Sequence, residues 1–212
     1  MLAAIVAMAL IASAAACGAP TVTSGPPSAA PSGAIGVPAT SDPATDPPPT
    51  ASGSLAPSGS IAPIVIDPWL LDLLPPQVDG FPLEPAAAAA GEMITDAKLA
   101  ASASGVAVAV AATGSATTDD FASVSVVRLR PGTFSEPFFA DWRRSYDEAA
   151  CAPAGGVASH AQQVIGAHVI EVTVCTGGAR TLHVHLAGDV LVSITAVGDR
   201  KFGDLVMAGL RE

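Results

Sequence analysis

The stretch His168–Val197 reads HVIEVTVC-TGGAR-TLHVHLA-GD-VLVSITAV and decides the fold class. Its β-branched and aliphatic residues recur at every second position, the period of a strand rather than a helix. Gly177-Gly178 and Gly188-Asp189 interrupt the runs where hairpins turn. The spacing predicts strands over His168–Cys175, Thr181–Ala187 and Val190–Val197, with a shorter one before them over Gln162–Ile165.

Working outward, Phe121–Arg130 alternates in the same way and ends at Pro131-Gly132, a turn signal. Val106, Val108 and Val110 alternate with Ala107, Ala109 and Ala111, so one face is filled and the other admits a close neighbour. Helical periods separate these strands. Ser135 is a cap for a helix to about Ala150, with Phe138, Phe139, Trp142, Tyr146 and Ala149 as its apolar stripe. Arg143–Asp147 and Arg144–Glu148 then form i,i+4 pairs on its outer side. Asp67 and Pro68 open a short helix, and Pro75-Pro76 closes it. Pro85 to about Ser104 is helix-prone, with Gly91 as its weak point, and Arg200–Leu210 is a closing helix with Phe202, Leu205, Val206 and Leu210 inward. The expected fold is α+β: a meandering antiparallel sheet of five or six strands with helices packed mainly on one face.

Upstream of Ile64 the character changes. Met1–Ala16 is apolar and uncharged, and Cys17 follows three small residues, Ala14-Ala15-Ala16. Gly18–Pro63 contains 11 of the 19 prolines, 13 Ser or Thr and no aromatic residue. Such a segment buries too little apolar surface to offset the entropy of ordering it. As a coil it spans about 40 Å, and as extended polyproline II about 140 Å. An apolar run, small residues, Cys and a Pro/Ser/Thr spacer in this order resemble the bacterial lipoprotein precursor class. The resemblance covers residues 1–63. It implies a signal peptide over 1–16, a membrane lipid on Cys17, a linker over 17–63 and one extracytoplasmic domain over 64–212. Two departures stand beside it. No basic residue precedes Cys17, and Ala14 stands where lipoproteins more often carry Leu. Ala14-Ala15-Ala16 also fits ordinary secretory cleavage, so a secreted protein is the alternative.

The net charge is −10, and all nine basic residues lie in the C-terminal domain against 17 acidic ones. That balance excludes a phosphate-reading nucleic-acid surface, which needs clustered Lys and Arg. With Cys17 set aside for lipid, Cys151 and Cys175 are an even pair, expected to form a disulfide worth about 3 kcal/mol between a helix end and a strand end.

His183-Val-His185 is the sharpest chemical candidate, because alternate strand residues share a face. If Gly177-Gly178 is a two-residue turn, Cys175 lies opposite Arg180 and Val172 opposite His183. His168 then joins the two on one face, in reach of a common Zn²⁺. Val172 and Ile170 on that face argue for packing instead. Asp119-Asp120 reads as a solvated turn, and Trp69 and Trp142 as core residues. Nucleophile-elbow, phosphate-loop, zinc-protease and dinucleotide patterns do not occur, and Ser159-His160 is adjacency without a triad. No cofactor is expected. The leading expectation is a non-enzymatic envelope domain that binds a small ligand or another protein. The alternatives are a metal-dependent envelope enzyme using His168, His183 and His185, and a structural spacer.

Overall fold

The alternation seen in the sequence becomes one large sheet in the computed structural model, which describes residues 62–114 and 120–211. The expected signal peptide, Cys17 and nearly all of the expected linker lie outside the described residues. Six long strands run antiparallel in the order β5-β6-β10-β9-β8-β7: β5 Ala103–Ala112, β6 Phe121–Leu129, β7 Val157–Ile165, β8 His168–Cys175, β9 Arg180–Leu186 and β10 Val190–Val197. Two-residue strands β1 Val65–Ile66 (parallel) and β4 Glu84–Pro85 (antiparallel) both pair with β5. A separate two-stranded ribbon joins β2 Gln77–Val78 to β3 Phe81–Pro82. The main sheet is therefore mixed and larger than expected, with eight strands.

The connection after β6 sets the topology. Helix α3, Glu136–Cys151, carries the chain across the sheet to its far edge. The β7–β10 meander then returns until β10 docks on β6. Ser135 caps α3 through its side chain, which accepts from the Phe138 amide. The helix-prone run after Pro85 forms two pieces, α1 Ala87–Met93 and α2 Ala97–Ser102. The break falls at Thr95-Asp96, where Asp96 caps α2 by accepting from Lys98 and Leu99, rather than at Gly91. The closing helix α4 is Phe202–Ala208.

Helices cover both faces of the sheet, not mainly one. On the first face, Ile170, Val172, Leu182, Val184, Val192 and Ile194 pack beneath α4 and the 3₁₀ turn Pro68–Leu73. Ala107, Ala109 and Ala111 lie on this face and leave room for Leu70 and Leu74. On the second face, Val106, Val108, Val127 and Leu191 meet Ala90 of α1, Leu99 of α2 and Phe139 of α3. Strands with apolar residues at both parities need cover on both sides, which is why one helical layer does not suffice. Leu205 of α4 is exposed rather than inward. Trp69 is 78% exposed, so it is not a core residue. Among the described residues, no helix is long and apolar enough to cross a membrane.

Cys151 and Cys175 are bonded, joining the end of α3 to the end of β8. The bond fits an oxidising, extracytoplasmic compartment. Asp120 is buried rather than solvated, and its Oδ1 accepts from the Arg200 amide at 2.8 Å. Gly198, at φ +94°, lies against it; an added Cβ would meet that oxygen at 2.1 Å, so only glycine fits. Asp119 lies outside the described residues.

Candidate functional site

The turn after β8 moves the predicted histidine face. Cys175 donates its amide to the Ala179 carbonyl at 2.8 Å, so Thr176-Gly177-Gly178 is a three-residue loop. Val174 therefore pairs with Arg180, and His183 sits opposite Glu171 rather than Val172. A one-residue shift exchanges faces. His183 and His185 share the α3 face, while His168 has the parity of Ile170 and Val172 on the α4 face. The three histidines are not brought together. His185 instead stacks on Phe134 at 3.5 Å, with Asp189 at 3.7 Å. Among the described residues, no three His, Cys, Asp or Glu side chains are placed to hold a metal ion.

His183 belongs to a different constellation. The α3 face of the sheet carries polar rows where the other face carries aliphatic ones. Ser125, Ser193, His183 and Glu171 are successive cross-strand neighbours, as are Ser123, Thr195, Thr181, Thr173 and His160. Helix α3 presents Trp142, Arg143, Tyr146 and Asp147 to these rows. The helical period explains this: Phe139, Arg143, Asp147 and Cys151 recur every four residues and point to the sheet together. The expected outer pairs Arg143–Asp147 and Arg144–Glu148 are thus not formed. Arg143 reaches Glu171 at 2.5 Å, and Arg144 binds Asp141.

Asp147, 2% exposed, is the hub. Its Oδ1 accepts from His183 Nε2 at 2.8 Å and from the Thr181 hydroxyl; its Oδ2 accepts from the Thr173 hydroxyl at 2.7 Å. Burial pushes the carboxyl upward, but the hydrogen bonds from His183, Thr173 and Thr181 outweigh it and hold Asp147 below its ordinary range. Beside it, burial pushes the Tyr146 phenol upward against hydrogen bonds from Thr195 and Ser125, and the Asp147 charge adds to the rise. The Tyr146 ring meets His183 edge-on at 5.0 Å, and its oxygen accepts from Thr195 at 3.1 Å.

The donor–acceptor balance assigns the tautomer. A carboxylate only accepts, so His183 Nε2 carries the proton toward Asp147. In the neutral imidazole Nδ1 then accepts from the Ser193 hydroxyl at 2.9 Å. Ser193 Oγ in turn accepts from Trp142 Nε1 at 3.1 Å. The result is a Ser193–His183–Asp147 chain in the order of a nucleophile triad but with the imidazole nitrogens exchanged, Nδ1 toward the serine and Nε2 toward the carboxylate. Its surroundings are those of a core. Ser193 is 1% exposed and His183 0%. A nucleophile needs an electrophile at van der Waals contact along an open approach, and here Trp142 occupies the serine oxygen. A cleft of about 140 Å³, lined by Arg180, Asp199, Lys201, Gly203 and Asp204 among others, includes none of the Asp147 network in its lining. Arg180 is neutralised there by Asp204 at 2.6 Å. That volume is well under the several hundred Å³ of a typical cofactor or ligand pocket.

One member of the network reaches the surface. His160 on β7 contacts the Thr173 hydroxyl through Nδ1 at 2.8 Å. Since Thr173 donates to Asp147, His160 donates to Thr173, and its ring is fixed by the buried hub.

Asp147 and Ser193 are the residues that sequence reading missed. A usable signal was present: a bridged Cys151 orients residues four and eight before it toward the sheet, which selects Asp147 and Arg143. Family models, curated proteins and solved structures contain no match to this chain.

Proposed function

We propose that this chain is a lipid-anchored envelope protein whose domain is a non-enzymatic, protein-binding module. The observation that carries the reading is the sealing of the Ser193–His183–Asp147 chain beneath α3. The side chains that could do chemistry are hydrogen-bonded to one another and closed to substrate, so they fasten a helix to a sheet. What the domain offers to other molecules is surface: the bare strand β7 and exposed Val164, Val169 and Trp69. The bonded Cys151–Cys175 pair and the lipoprotein-like N-terminus support an extracytoplasmic setting, with Cys17 as anchor.

A fluorophosphonate probe, which reacts with activated serine hydroxyls, tests the first part. The native protein should give no adduct at Ser193. A native adduct at Ser193, lost in His183→Ala, would replace the binding reading with a hydrolase one. The anchor is tested by detergent-phase partition, which Cys17→Ser should abolish; a variant that still partitions would remove the lipid from the account.

A further inference from the structure

The two edges of the main sheet are built differently. At one, β5 is covered by β1 and β4, each only two residues long, with Pro85 in the second. Short strands and proline are common ways to blunt an edge. At the other edge, β7 is nine residues long and pairs only with β8 among the described strands. Eight of its nine residues are exposed. Its sequence, Val157-Ala-Ser-His-Ala-Gln-Gln-Val-Ile165, contains no charge and no proline. The nearest acidic neighbour, Glu171, is neutralised by Arg143 and accepts from Gln162 Nε2 at 2.6 Å. A bulge at Ala158 lies near one end of the strand and leaves Ser159–Ile165 regular.

An open edge of this kind accepts another strand through its backbone, and its side chains decide which strand. β7 complements itself. Placed antiparallel to a second copy with the two-fold axis at Ala161, its regular segment sets Ser159 opposite Gln163, His160 opposite Gln162 and Ala161 opposite itself. Within that segment the polar residues meet polar ones, and Ala161 meets Ala161. Shifting the pairing sum by one or two residues in either direction sets Ala or Val against Gln, Ser or His. Two-fold pairing is also the commonest closed symmetry of soluble oligomers.

We infer that β7 is a homodimer interface: two copies of this chain join their sheets edge to edge, β7 against β7, about an axis at Ala161. The inference deepens the protein-binding reading above by naming the partner. The contact is small, of the class that gives weak or transient association. Confinement to one membrane by the Cys17 tether would raise the effective concentration of such a contact. Net charge opposes association of two acidic copies, so added salt should strengthen the dimer.

The test uses the full chain with Cys17→Ser, measured by sedimentation equilibrium. The expected result is a monomer–dimer equilibrium with Kd on the order of 100 µM or tighter. Ala161→Lys sets two like charges on the axis and should weaken the dimer at least about tenfold, as should Ala161→Glu. An equimolar mixture of the two variants should dimerise again, which also shows that both are folded. In the same background, Ala161→Cys should cross-link under mild oxidation. A chain that stays monomeric at about 1 mM would overturn the inference, as would a dimer indifferent to these substitutions. Neither result touches the fluorophosphonate test, so self-pairing and the non-enzymatic reading can fail separately.

Discussion

The two faces of the sheet are built from the same strands and held to their helices by different physics. At α4, Phe202 and Val206 of the helix form a continuous apolar contact with Ile170, Leu182 and Ile194 of the sheet. Under the C-terminal half of α3, hydroxyls, one imidazole and one carboxylate take the place of those methyl groups. Apolar contact is non-directional and scales with area, and the α4 face sets its helix by close packing: a Cβ added at Gly203 would lie 2.8 Å from Leu182 and 3.1 Å from Ala196. Buried hydrogen bonds are directional and costly to leave unmade, so the α3 face fixes its helix in a single register. The disulfide from Cys151 reinforces that register at the end of α3.

Substitutions that empty each face give the largest expected effects. Phe202→Ala should cost about 3–5 kcal/mol by cavity formation, seen as a lower denaturation midpoint with an unchanged m-value. Asp147→Ala should cost about as much by a different route, leaving His183, Thr173 and Thr181 donors unpartnered. Equal ease of loss on both faces would support the contrast only if the polar cost disappears when the partners go too.

Replacing Cys151 and Cys175 together by Ala should cost about 3 kcal/mol, read in the same denaturation experiment under non-reducing conditions. It should raise hydrogen exchange at the end of α3 more than in α4. Uniform loosening of both helices would erase the distinction.

The faces should also separate by pH. Asp147 has a lowered folded value, so its contribution is present above the ordinary carboxylate value of about 3.9 and is lost as pH falls through the folded value. The wild-type stability curve should drop across that acid window, and Asp147→Asn should remove this component of the slope. Tyr146 has the opposite sign: its raised folded value gives stability that is full below about 10 and is lost as pH rises through the folded value. Tyr146→Phe should flatten the alkaline limb and cost only about 1 kcal/mol at neutral pH through the lost Thr195 bond.

The contrast between the faces also explains what was legible in the sequence. Local signals read well: the β10 and β8 strands fall on Val190–Val197 and His168–Cys175 as expected, and Ser135 caps α3. The aliphatic alternation under α4 was equally plain. Ser123, Ser125, Thr173, Thr181, Ser193 and Thr195 look like a solvent-facing parity, because nothing local says that a helix will cover them. The three-residue loop at Thr176–Gly178 shifted His183 by one place, and a period of two turns that small error into the wrong face for His168. Asp147 was hidden by its i,i+4 partner Arg143, a spacing that reads as an exposed ion pair when both residues in fact face inward. Long-range pairing decided these points, and local patterns do not contain it.

On the function proposed above, the Ser193–His183–Asp147 chain fastens α3 rather than performing catalysis. A double-mutant cycle in chemical denaturation, with Asp147→Ala, His183→Ala and both together, tests it most directly. Each single change should destabilise the domain, and the pair should be far from additive, with a coupling of about 1–3 kcal/mol. Single variants as stable as the wild type or more so, the behaviour of residues strained for catalysis, would contradict it.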